Sequence, residues 1–123
     1  IAGPLGGMFP IPHGVACALL LPSAMSVNIR LLREREPDHD NLRRYTEVAR
    51  ILTGNPSATA EAGAAWVADL VRELKIPAMK SYGVTAADLP TVTEKSANAN
   101  STKGNAIPLT HADITEILEM TLN

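Results

Sequence analysis

The apolar and polar positions divide the chain into five helical stretches joined by short polar connections. From Gly14 to about Leu32 apolar residues fall on every side, which predicts a central, buried helix. Pro22 lies inside it and removes one amide donor, so a kink is expected there. Arg30 to Glu36 alternates in charge and marks the exit to solvent. Pro37-Asp38-His39-Asp40 then reads as a turn and cap, with His39 a solvated loop histidine. Asn41 to Thr53 carries Leu42, Tyr45, Val48, Ala49 and Leu52 at helical spacing, and Gly54 stops it. Ser57 is a candidate cap for the next helix. Its stripe is Trp66, Val67, Leu70, Val71 and Leu74, with Trp66 expected in the core, and it ends at Ile76-Pro77. Ser81-Tyr82-Gly83 reads as a turn. Thr85-x-x-Asp88 opens a helix that runs through Leu89 and Val92 towards Ala97. Ser96 to Asn105 is polar and reads as a loop. Thr110-x-x-Asp113 starts the last helix, whose buried face is Ile114, Ile117, Leu118 and Leu122. No stretch reads as a strand, so the fold class is all-α, a bundle of about five helices.

Composition narrows the function classes. A chain of 123 residues is enough for one domain with a core. Its net charge of −2 offers no basic face for nucleic acid or an anionic membrane. Aromatic residues are only 3%, so Ala, Leu, Val and Ile must fill the core by close helix packing. The single cysteine excludes an internal disulfide and any cysteine-based zinc motif. Cys17 lies in the apolar run and is expected to be a buried, inert thiol. The run Val15 to Leu21 is too short to span a bilayer, and no signal peptide is seen, so a cytoplasmic location is expected. The chain opens at Ile1 inside a Gly/Pro-rich stretch read as loop, which looks like a piece of a longer polypeptide. There is no Gly-x-Gly-x-x-Gly stretch, so no dinucleotide-binding half is expected within these residues.

The candidate chemistry sits at His13, where the opening stretch meets the apolar run. A polar, metal-competent imidazole at the mouth of a buried helix is where chemistry can be placed. From spacing alone, a helix-capping or core-bonded histidine is the commoner reading, because a metal needs three or four ligands from several elements. Glu34, Glu36, Asp38 and Asp40 form an acidic cluster read as a solvated face, and His111 lies just past a cap with no catalytic pattern around it.

Motifs at both ends change that balance. Pro4-Leu5-Gly6, Pro12-His13-Gly14, Ala18, Leu21-Pro22 and Asn28, together with Lys103-Gly104-Asn105-Ala106-Ile107-Pro108-Leu109-Thr110, resemble the C-terminal domain of the iron-containing (group III) alcohol dehydrogenases. The resemblance implies the helical half of the dehydroquinate synthase-like fold. It also implies that His13 binds a divalent metal, as the last of three histidines that act with one aspartate. The remaining ligands are expected before Ile1. Gly3 stands where several members carry a further histidine near the nicotinamide. The loop Ser101 to Asn105 is similar to a stretch that approaches the cleft. Imidazole suits Fe(II) or Zn(II) equally. NAD or NADP is expected to be bound mainly by an N-terminal nucleotide-binding domain outside residues 1–123.

The implied function is alcohol to aldehyde or ketone by hydride transfer, carried by a fragment expected to be inactive alone. Its implied partners are a small alcohol or aldehyde and the N-terminal domain. A homodimer is compatible with this, and neither nucleic acid nor membrane is expected. The alternative class is a non-enzymatic helical interaction module in which His13 is structural.

Overall fold

The computed structural model describes residues 1–123 and contains helices without strands. In chain order these are α1 (Ala2–Met8), α2 (His13–Arg35), α3 (Asp40–Thr53), α4 (Ala60–Glu73), 3-10 turns at Met79–Tyr82 and Ala86–Asp88, α5 (Leu89–Ala97), α6 (Asn100–Lys103) and α7 (His111–Leu122). The five expected helices are α2, α3, α4, α5 and α7, and the all-α reading holds.

The apolar girth of α2 is explained by what lies on either side of it. Leu20, Val27, Leu31 and Leu32 join a core of 16 buried residues that includes Val92, Ile114, Ile117 and Leu118. Met25 and Ile29 belong to a second, smaller cluster with Ala60, Ala64 and Val67 of α4. The helix continues through Pro22 to a length of 23 residues. By length and composition it could cross a bilayer, but half of its most apolar window is buried inside the fold, as a core helix requires.

Several boundaries differ from expectation, each for a local reason. Ile1 to Phe9 is not simply a loop, because Ala2–Met8 forms α1. Pro4 falls in its first turn, where the missing N–H has no helical partner to lose, and fully buried Leu5 anchors the helix to the core. The expected loop Ser96 to Asn105 holds the end of α5, with Ser96 fully buried, and the single turn α6. Thr59, not Ser57, caps α4, its hydroxyl accepting from the Ala62 amide at 3.3 Å. Trp66 lies at an edge rather than in the core, and Leu74 is exposed. The seam of α4 is instead Ala60, Gly63, Ala64 and Val67, because α3 comes too close at Ala49 for large side chains. Cys17 is exposed, not buried, because it faces the side of α2 that opens into a pocket.

Charged groups tie the far end of α2 to its neighbours. Arg30 bonds Glu116 at 2.6 and 2.7 Å, and Arg33 bonds Glu61 at 2.5 and 3.0 Å. Arg35 donates to both oxygens of Asp113 at 2.9 and 3.0 Å. Asp113 is also the return arm of the α7 capping box, accepting from the Thr110 amide at 2.8 Å. The Arg35 guanidinium and the Thr110 donors hold the Asp113 carboxyl at about 2, below its ordinary 3.8.

A depressed carboxyl stabilises the fold above its unfolded pKa, and that contribution is lost as pH falls through the folded one. Stability of the wild-type chain should therefore decline between about pH 4 and pH 2 more steeply than that of Asp113→Asn. Urea midpoints measured across that window check this. Equal slopes would show that Asp113 contributes no such linkage.

Candidate functional site

His13 is the first residue of α2. Pro12 precedes it with an extended backbone, and Ile11, only 5% exposed, pins the incoming segment to the core. The His13 side chain is therefore placed by a rigid helix end and remains solvent-accessible. Its Nε2 lies 3.5 Å from the Cys17 sulfur one turn on.

The pair opens onto a cavity of about 460 Å³ with mostly apolar walls. Leu20, Leu21 and Ala24 continue its floor along α2, while Gly3 comes from α1. Ser101, Thr102 and Asn105 form the opposite wall. Three places marked by sequence motifs that lie far apart in the chain, Gly3, His13 and Ser101 to Asn105, thus share one pocket. Gly3 puts no side chain into it.

The other candidates are elsewhere. His39 accepts from the Asn41 amide at 3.0 Å and so caps α3. His111 lies 3.1 Å from Glu94 at the surface. Glu34, Glu36, Asp38 and Asp40 are all exposed, as a solvated face requires. Asp40 is held below the usual carboxylate range, first by its bond from Arg43 and then by Arg44. No three His, Cys, Asp or Glu side chains converge anywhere in the chain. Residues 1–123 therefore do not complete a metal site by themselves.

Sequence reasoning missed what holds the far wall. Asn28 and Asn105 exchange amide hydrogen bonds at 2.8 and 3.0 Å, and Asn28 also donates to the Tyr45 hydroxyl at 3.0 Å. The available signal was an asparagine inside an apolar helical run. A buried amide there needs partners, and a second amide supplies them.

With this geometry in place, the comparisons agree on one family. The profile described as "Fe-containing alcohol dehydrogenase family, C-terminal" matches residues 1–122. Lactaldehyde reductase of Escherichia coli K12 is 31% identical over 118 residues, which cover 95% of this chain and 30% of that protein. 1,3-Propanediol dehydrogenase of Klebsiella pneumoniae is 31% identical over 116 residues, covering 85% of this chain and 28% of that protein. The chain thus spans about 30% of the length of these relatives. No solved structure matches it significantly.

Proposed function

Since the chain belongs to the Fe-containing alcohol dehydrogenase family, as the match over residues 1–122 shows, we propose that it forms the C-terminal helical part of a metal- and NAD(P)-dependent alcohol dehydrogenase. The observation that carries this reading is the shared pocket. His13, Gly3 and the Ser101 to Asn105 wall meet there, as the family resemblance requires.

In this reading His13 gives one imidazole nitrogen to a divalent iron or zinc ion. An aspartate and two histidines from sequence before Ile1 give the rest. When bound, such an ion lowers the pKa of an alcohol oxygen and polarises a carbonyl. The start of α2 holds the imidazole on a packed helix rather than a mobile loop, which keeps the ligand in register. Leu20, Leu21 and Ala24 give the floor of the pocket an apolar surface, against which the carbon skeleton of a small alcohol would rest. A nicotinamide cofactor would be held mainly by an N-terminal nucleotide-binding domain.

The purified chain 1–123 should show no alcohol-dependent reduction of NAD or NADP and should bind Fe(II) or Zn(II) only weakly. One histidine leaves an ion largely hydrated. The full-length protein should do both. Turnover by 1–123 alone, or a full-length protein that turns over without metal, would overturn the proposal.

A further inference from the structure

Among the residues of α2 that line the pocket, His13, Cys17, Leu21 and Ala24 recur at spacings of three and four and so form one stripe, with Leu20 beside it. Asn28 is the next position on that stripe and is 3% exposed. It lies one turn beyond the last α2 residue of the lining, about 22 Å along the helix from His13 at 1.5 Å per residue. Opposite it stands Asn105, which lines the pocket itself.

The two amides fit each other completely. Asn28 Nδ2 donates to Asn105 Oδ1 at 3.0 Å, and Asn105 Nδ2 donates to Asn28 Oδ1 at 2.8 Å. Their second N–H groups go to the Tyr45 hydroxyl at 3.0 Å and the Ile107 carbonyl at 2.9 Å. All four amide hydrogens are thereby used. The two bonds between the amides are also the only side-chain hydrogen bonds that fasten residues 101–105 to another helix. Within the wall the remaining bonds are short backbone ones around the single turn α6, and just beyond it Asn41 Nδ2 of α3 donates to the Ala106 carbonyl at 2.8 Å.

We propose that Asn28 and Asn105 are positioning residues: their paired amides bolt the Ser101 to Asn105 wall to the helix that carries His13, and so fix the width of the substrate pocket. This rests on the dehydrogenase reading above. Because wall and ligand are referred to one rigid helix, the distance across the pocket does not depend on the loop's own stiffness. The hydrogen-bonding hydrogens of both amides are taken up by each other, Tyr45 and Ile107.

The test uses the full-length, metal-loaded enzyme and three variants, Asn105→Ala, Asn28→Asp and Tyr45→Phe. Asn28→Asp keeps side-chain volume and still accepts from Asn105, but turns an N–H donor into an oxygen facing Asn105 Oδ1. It reports on the pair even if the alanine variant does not fold. Metal content, thermal midpoint, kcat and KM for the alcohol are measured together. Asn105→Ala and Asn28→Asp should keep their metal and raise KM tenfold or more, with a smaller change in kcat per bound metal. Tyr45→Phe leaves the amide pair intact and should stay within twofold of wild type in KM. Lower thermal midpoints with unchanged KM in the metal-loaded fraction would show a purely structural pair and overturn the proposal. A wild-type enzyme with no alcohol-dependent NAD(P) reduction would instead refute the reading beneath it, before any variant is made.

Discussion

Replacing His13 by alanine in the full-length enzyme is expected to remove bound metal and turnover together while leaving the fold intact. The loss should reach about a thousandfold, because metal stabilisation of charge at the alcohol oxygen is worth several kcal/mol and about 1.4 kcal/mol is tenfold in rate. The fold should survive because the side chain is solvent-accessible, and its one hydrogen-bonding neighbour is Cys17 at 3.5 Å. NAD(P) affinity should change little, since the cofactor is proposed to be held by another domain. Metal analysis, steady-state turnover and far-ultraviolet circular dichroism on the same sample check the three parts. Full metal content with normal turnover would make His13 a structural residue and end the assignment.

The largest expected stability loss is at Gly63. A Cβ there would meet the Ala49 Cβ at 2.7 Å and its Cα at 2.9 Å. The second of these atoms is backbone and cannot rotate away, so α3 and α4 must part. Gly63→Ala sets a helix-propensity gain of about 1 kcal/mol against an overpacking cost of about 1–3 kcal/mol, and the cost should win. Gly63→Val adds more volume and gains less propensity, so it should cost about 3 kcal/mol or more and lower the melting temperature of chain 1–123 by about 10 °C or more. Ala49→Gly in the same chain should recover only part of this, because the valine would still press on the backbone of α3. A melting temperature unchanged in Gly63→Val would show that the two helices separate freely.

Fold and site were legible to different depths, and particular residues show why. The run from Gly14 to Leu32 is apolar on all sides because α2 serves two core clusters, and that pattern is local enough to read directly. Thr110 and Asp113 announced their helix because a capping box is completed within four residues. Trp66 was misplaced because periodicity finds a stripe but does not say which edge a neighbour covers. The neighbour was set by the packing of Gly63 on Ala49, which joins two helices. Cys17 failed for the same reason, since an apolar run does not reveal where the bundle leaves a side open. The site itself was visible only through family resemblance. Gly3, His13 and Asn105 are brought together by long-range packing that no local spacing encodes. The Asn28–Asn105 pair spans 77 positions; both residues stand in the family-like motifs, but nothing in either motif says that they meet.

The double duty of α2 also bears on where such a domain can change over evolutionary time. A substitution on α2 is felt at once by the core, by the His13 end of the pocket and by the Asn28 anchor, so few positions there are free to drift. The far wall is different. Ser101 is exposed, lines the pocket from a one-turn helix and takes no part in the anchor. Lineages can exchange side chains there and alter what the pocket accepts, while Asn105 keeps the wall at its distance. A stiff platform facing a short, replaceable segment lets the pocket wall be altered while the core is left untouched.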